Sequence, residues 1–575
     1  MGSRFRNVLI GIFSAGLGLA ASAQAQTKWS YPGCNDITDA DFKYDTLIIR
    51  QKDNTFGEPA KMAFDMDAEG NVDVYFVELR PGNVKRYNAK TKTTTTLVKL
   101  PNWGMSTDYI KVKNSGNVEE GVHGIALDPN FKTNGYVYIH WSPLPITNEV
   151  FRISRFTVAN NAIALSTEKV LIDIPAQRQT CCHTGGAMQF DAYGDLWITV
   201  GANSGRANSS GPLQGINEDL KYESEEWGAS NTHSMRGGII RIHPDNSAKG
   251  YSIPKDNFGE YFARTLGKPE YADTSKVAPE VYIKGSRNPY SLTIDPVRRW
   301  VAWGDVGPDR LTGLEREEIN LRKTPGFEGW PYFVGQNIAF AGSGKVASAP
   351  TNTSKWNDGL GTLPPARPAF TTHGYGTPVK GLGTSPITGP YYLYDGDSKS
   401  TVKLPPHFNR KWFVTDYTSG TVAVIGVDDA GDKATGGERI FANNKFEGPI
   451  DFRQGPDGAL YLMTYGAANF AANGAASIVK ISYTGTCRPA TPKLETPVGI
   501  AQSREDLAPR AKGILVNLGA GKALMVPAGM AGMELFDING KQVWNSGKLK
   551  AGETFWLPKG LVFGALKYRW VPAGI

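Results

Sequence analysis

Three short segments carry side chains whose types and spacing suit chemistry. The first is Cys181-Cys182-His183-Thr184-Gly185-Gly186, just ahead of a strand-like run. The imidazole of His183 is the side chain best matched to taking a proton near neutral pH, and the two glycines let the backbone bend sharply or approach a ligand closely. The second is Gly285-Ser286-Arg287-Asn288-Pro289-Tyr290, again a turn before a strand. Arg287 offers a planar fork for a carboxylate, and Asn288 both donates and accepts. The third is Gly304-Asp305-Val306-Gly307-Pro308-Asp309 at a strand end, followed by Glu315, Glu317 and Glu318. Glycine and proline there leave backbone carbonyls exposed, and such oxygens suit a hard cation such as Ca²⁺. Each segment alone has an ordinary structural reading: a lone histidine packed in a core, a surface arginine, a Gly-Pro-Asp turn.

The elements that must position these segments are short strands. An apolar stretch, an Asp/Pro/Gly turn and an aromatic-rich alternation recur, starting at Met62, Gly124, Ala187, Ser291 and Pro449, with a divergent copy around 411–414 and 421–424. Each copy predicts strand, Asp/Gly hairpin, strand. Six such hairpins predict a radial or stacked β array. The first starts are 62 and 63 residues apart, so each unit must also carry loops. Two segments, 204–284 and 333–388, are rich in Asn, Ser, Gly, Pro and Thr and are expected to be insertions. Long loops on a rigid scaffold usually build the site.

After Cys487 the pattern changes. Residues 487–500 contain Arg488-Pro489-Ala490-Thr491-Pro492 and are expected to be a linker. Residues 501–575 hold short strand-like runs and the hairpin signal Asn539-Gly540, which predict a small C-terminal β-sandwich. Around Leu535-Phe536-Asp537-Ile538-Asn539-Gly540-Lys541 this segment resembles the sorting or surface-attachment domains of secreted bacterial proteins.

Composition narrows the classes. The chain has 575 residues, 20% charged and 40% hydrophobic, which excludes disorder and a polytopic membrane protein. Gly and Pro make up about 18% and aromatics 11%, as expected for an all-β chain with many turns. The formal charge of +7 is interspersed, with no basic run to support nucleic-acid binding. Arg4 and Arg6, an apolar stretch from Val8 to Ala21 and Ala23-Gln24-Ala25 fit a cleaved signal peptide over 1–25. The mature protein is therefore expected to be secreted, periplasmic or on the cell surface. No later stretch is long and apolar enough to span a bilayer.

Export makes the cysteines readable. Four cysteines allow three pairings. One of them joins Cys34 to Cys487 across the repeat array and leaves Cys181 to Cys182. The long bridge is worth about 4–5 kcal/mol on the chain-entropy model. The alternative for Cys181 and Cys182 is that they stay reduced, since a ring of adjacent cysteines is strained.

Taken together, the segments resemble the glucose/sorbosone dehydrogenase family, the soluble quinoprotein sugar dehydrogenases and their propeller relatives. The shared order is Glu120-Gly121-Val122-His123-Gly124-Ile125-Ala126-Leu127-Asp128-Pro129-Asn130-Phe131, then His183 with its glycines, Arg287-Asn288-Pro289, Gly307-Pro308 and Gly329-Trp330-Pro331. The Cys-Cys-His-Thr-Gly-Gly form is similar to a bacterial branch of that family. The resemblance implies a six-bladed β-propeller over residues 28–486. It also implies pyrroloquinoline quinone and Ca²⁺ as cofactors and an aldose, or a sugar unit of a polysaccharide, as substrate; it does not name the electron acceptor. By the same resemblance His183 is the general base, Arg287, Asn288 and Glu119 contact the cofactor, and the carbonyls of Gly307 and Pro308 hold Ca²⁺. The alternative is a cofactor-free carbohydrate- or protein-binding propeller. The chain departs from the family pattern at Gly201-Ala202-Asn203, where Gly-Asp is usual. It departs again in the fifth blade, where Asp395 and Thr418-Ser419 stand at positions that carry basic residues in the sugar dehydrogenases. Lys411 and Arg410 are the nearest basic residues that could replace them.

Overall fold

The computed structural model describes residues 28–53, 56–102, 119–145, 147–178, 182–203, 221, 224–308, 317–340, 344–373, 382–466 and 474–494, together with the backbone of strands beyond 511. Six sheets, antiparallel except where Val281–Lys284 pairs parallel with Gly326–Phe327, form the blades of a β-propeller. Their innermost strands are Pro59–Met66, Val122–Leu127, Gly185–Phe190, Thr293–Ile294, Pro386–Tyr391 and Pro449–Gln454. Second strands such as Val72–Glu78 and Leu196–Val200 are buried along their whole length. They lie between neighbouring blades and so read as mostly apolar rather than alternating, with Asp73, Glu78 and Thr199 as buried polar positions. The core is accordingly a set of inter-blade clusters. Between the last and first blades, Ile48, Phe76, Met463, Tyr465 and Ile478 pack together.

The ring is closed by the N-terminal strand. Phe42–Ile49 pairs antiparallel with Ser477–Tyr483, from Phe42 opposite Tyr483 to Ile49 opposite Ser477, and becomes the outermost strand of the sixth blade. Pairing the two ends removes the edges that an open array would expose. Cys34 and Cys487 are disulfide-bonded beside this seam, 453 residues apart in sequence. Cys182 is also disulfide-bonded; Cys181 lies outside the described residues, as do residues 1–27 with the expected signal peptide.

Three expectations change. The divergent repeat at 411–414 and 421–424 is the second and third strands of the fifth blade, Lys411–Asp416 and Val422–Val427; the innermost is Pro386–Tyr391. Pro386, Gly389 and Pro390 mask its strand pattern. Gly389 is required because a Cβ there would lie 2.5 Å from the Phe452 ring. The segment 204–284 is not all insertion, because Gly238–Pro244 and Val281–Lys284 are the outer strands of the third blade. The start of the linker is docked on the propeller. Tyr394 donates to the Pro489 carbonyl at 2.7 Å, and the Gly396 N–H to the Pro492 carbonyl at 3.0 Å. Beyond residue 511, strands Lys512–Leu515, Leu566–Pro572, Met530–Phe536 and Gln542–Asn545 form one sheet, and Ala523–Met525 pairs with Thr554–Trp556. That pairing is compatible with the proposed sandwich.

Candidate active site

In each blade the chain enters the innermost strand and turns from the second to the third strand at the same end of the ring. Main-chain bonds join these segments. The Asn203 N–H donates to the His183 carbonyl at 3.0 Å, Ala202 to Arg287 at 2.9 Å, Tyr417 to Ser385 at 3.0 Å and Tyr465 to Gly448 at 2.7 Å. His183, Arg287, Asn288, Gly307, Pro308 and Glu119 all fall at this end, so the topology gathers residues up to 189 positions apart in sequence.

The His183 loop is held by its backbone. Cys182 and His183 adopt left-handed conformations, φ +97° and +62°. Each costs a non-glycine residue roughly 1–3 kcal/mol and persists only where the surroundings enforce it. Glu119 enforces it here: its carboxylate accepts the His183 N–H at 2.7 Å and the Thr184 N–H at 3.4 Å. Gly201 completes the clamp. A Cβ there would lie 2.2 Å from the His183 carbonyl oxygen and 2.9 Å from Asn288 Oδ1. The imidazole is 95% buried, with Nδ1 3.8 Å from Glu225 Oε1. Glu225 comes from the short helix Glu225–Gly228, capped by Ser224 and followed by a buried Arg236 whose guanidinium lies 3.7 Å from the Trp227 ring. Burial pulls Arg236 down to about 9, against the attraction of Glu225.

Arg287 and Asn288 are tied to one carboxylate. Asp305 accepts the Asn288 N–H at 2.7 Å and the Arg287 N–H at 3.1 Å. Asn288 Oδ1 in turn accepts the Gly185 N–H at 3.2 Å, so its amide joins this turn to the His183 loop. The Arg287 guanidinium donates to the Gly307 carbonyl at 2.9 Å and to Val306 at 3.3 Å. Glu317 accepts the Gly307 N–H at 2.8 Å. Burial raises all three neighbouring carboxyls: Asp305 to about 6, Glu318 to about 8 with Asp305 adding repulsion, and Glu317 well above its usual range. Two raised acids, Asp305 and Glu317, beside one guanidinium make a place where added positive charge would be stabilising.

The family departures find physical explanations. Ala202 is buried among Ala229, Trp330, Val334 and Phe340, where an aspartate would be desolvated. Asp395 lies four residues beyond the far end of Pro386–Tyr391 and so does not belong to this site. Lys411 begins its strand at that same far end and pairs with Glu438 at 2.8 Å; Arg410 lies beside Asp429 at 3.6 Å. Neither can replace a cation here. Thr418 and Ser419 do reach the site end, but their N–H groups cap Asp416 at 2.8 Å. Glu225 was not singled out from sequence; a Ser-Glu-Glu-Trp helix start within an apparent insertion was its only signal.

The cofactor fit can be judged on these groups. Gly307 and Pro308 present main-chain carbonyls beside raised carboxyls, and a carbonyl has two lone pairs, so the bond from Arg287 does not exhaust Gly307. Among the described residues no cluster of three His, Cys, Asp or Glu is arranged to hold a metal by side chains alone. The donor set thus fits a carbonyl-held divalent cation. An anionic quinone fits together with that cation and Arg287, both of which would bring positive charge to it.

The chain matches the model of the Glucose / Sorbosone dehydrogenase family over residues 56–470. Quinoprotein glucose dehydrogenase B of Acinetobacter calcoaceticus is 23% identical over 363 residues, covering 57% of this chain and 68% of that protein. Aldose sugar dehydrogenase YliI of Escherichia coli (strain K12) is 21% identical over 428 residues, covering 73% and 90%. A crystal structure of a glucose dehydrogenase superposes with a TM-score of 0.50 at 18% identity, over 76% of this chain and 98% of that one, and shares the fold. With a family match across most of its length, the chain belongs to the Glucose / Sorbosone dehydrogenase family.

Proposed function

We propose that this protein is a quinone-dependent dehydrogenase that oxidises an aldose or a sugar unit of a polysaccharide, with pyrroloquinoline quinone and Ca²⁺ as cofactors. The observation that carries this reading is the convergence of His183, Glu225, Arg287, Asn288 and the Gly307 carbonyl at one end of the ring. When bound, the quinone supplies the two-electron acceptor. The chain's own residues bind, orient and move a proton. His183 takes the proton of the sugar's anomeric hydroxyl, and the Glu225 carboxylate, 3.8 Å from Nδ1, stabilises the imidazolium. Arg287 and Asn288 meet the anionic and carbonyl oxygens of the quinone, and the carbonyls of Gly307 and Pro308 hold the cation. Glu119 positions the His183 loop through its backbone. The relatives named as sugar dehydrogenases support the substrate class. Export to the periplasm or cell surface is part of the same proposal and rests on the N-terminal sequence.

The alternative, a carbohydrate- or protein-binding propeller without cofactor, is favoured by one observation: the fifth-blade turn at Thr418 and Ser419 carries no cation. A titration separates the two. Apo protein is mixed with pyrroloquinoline quinone with and without Ca²⁺, followed by quinone absorbance, and then assayed on a sugar panel with an artificial acceptor. Calcium-dependent quinone binding and sugar-dependent reduction are expected. No binding at high micromolar quinone with saturating Ca²⁺ would leave the binding propeller as the reading.

A further inference from the structure

At the end of the ring opposite His183 the central channel opens into a pocket of about 570 Å³. All six innermost strands contribute to it, and its wall is mostly apolar, with Phe64, Leu127, Phe190, Ile294 and Leu393. That volume and lining are typical of a small-molecule site: an apolar cavity with a few convergent polar groups. The principal polar group is Arg453. Its Nε donates to Asp451 at 2.9 Å, and Nη1 lies 3.4 Å from Gln189 Oε1 and 3.5 Å from the Leu292 carbonyl. Nη2 has no hydrogen-bond partner among the described residues, and the side chain is 14% exposed.

A second cation lies behind it. Lys61, fully buried on the innermost strand of the first blade, donates to the Ala60 carbonyl at 3.2 Å and the Ile450 carbonyl at 3.1 Å, with its ammonium 3.6 Å from the centroid of the Tyr290 ring. Its charged neighbours are Asp451, which favours its charge, and Arg453, which opposes it; His123 also feels its charge. It makes no ion pair within 4.0 Å among the described residues. Lys61 and Arg453 against Asp451 leave an excess of positive charge in the channel, and Arg453 is the cation on the pocket lining. Next to Phe64 of the wall, Asp65 is opposed by Lys132 at 3.8 Å. The docked segment after Cys487 brings Leu494, 49% exposed, to the rim.

We propose that this pocket binds an amphiphilic carboxylate, with its anionic head at Arg453 and its apolar body along the wall toward Leu494. An exposed leucine at the rim, an apolar wall and a guanidinium donor turned inward are the complements of such a molecule. Burial lowers Lys61 to about 7, so an anion seated at Arg453 would also favour the charged form of this lysine.

The test is a calorimetric titration of the full-length protein at pH 6 with decanoate, and with decanol as the neutral control. Decanoate is expected to bind at least tenfold more tightly than decanol. Arg453→Met should weaken decanoate by about ten- to a hundredfold and leave decanol unchanged. If Arg453→Met does not fold, Ala192→Glu at an exposed pocket position places a like charge at the rim and should weaken decanoate alone. The proposal is overturned by any of three results: no decanoate binding at millimolar concentration, equal affinity for decanoate and decanol, or decanoate affinity unchanged in a folded variant.

Discussion

Glu119 accepts the backbone N–H of His183 at 2.7 Å, across 64 residues of sequence and two blades of the propeller. The bond secures a left-handed residue that has no glycine freedom, so the carboxylate acts on the site through geometry. Glu119→Ala leaves two buried N–H groups without this acceptor and should cost about 1–3 kcal/mol. Glu119→Gln keeps an acceptor and should cost less. Urea denaturation of the two variants checks the order; equal stabilities would show that other contacts hold the loop.

His183→Ala is expected to reduce sugar oxidation by about 10²–10⁴-fold while leaving Ca²⁺ and quinone affinity nearly intact. Arg287→Ala should behave differently. Its guanidinium is the positive group set to meet the anionic quinone, so its loss should weaken the quinone first, while the Gly307 carbonyl it bonds stays available to the cation. Paired titrations with quinone and Ca²⁺, alongside turnover, separate rate from affinity. Full turnover in His183→Ala would remove it as the base.

The raised carboxyls predict a calcium effect that depends on pH. Asp305, Glu317 and Glu318 keep their protons in the folded state at pH values where the unfolded chain has lost them. Their contribution to stability is full below about pH 4 and declines as pH rises toward about 8. A cation at Gly307 should offset that decline. The increase in Tm on adding Ca²⁺ over chelator is therefore expected to be larger at pH 8 than at pH 5, and an equal increase at both would contradict the placement.

Replacing Cys34 and Cys487 by serine should lower stability by about 2–5 kcal/mol, because the bond restrains a very long loop in the unfolded chain. The urea midpoint of the double variant measures it. Treatment with reductant should shift the wild-type midpoint in the same direction.

The start of the expected linker, through Pro492, is docked on the propeller. A chain ending at Leu494 should melt like the propeller of the full protein. One ending at Cys487 loses the bonds of Tyr394 to Pro489 and Gly396 to Pro492 and should be less stable by about 1–3 kcal/mol. Differential scanning calorimetry of the two chains gives the comparison.

The propeller was legible in the sequence because each innermost hairpin repeats a local signal, an apolar strand followed by an Asp/Gly turn, and local signals survive without neighbours. His183, Arg287-Asn288 and Gly307-Pro308 stood out for the same reason: each sits in a short motif of turn residues. The innermost strand of the fifth blade was not legible, because Pro386, Gly389 and Pro390 break its pattern, Gly389 to fit the close approach of Phe452. Glu225 was hidden because its position facing His183 depends on how a loop folds back over the ring. Asp395 was misplaced because sequence order does not tell which end of a strand a residue lies beyond. Only the closed ring decides that Glu119 reaches His183 and that Lys61 and Arg453 share one channel. Those are contacts between blades, and no local pattern encodes a distance between blades.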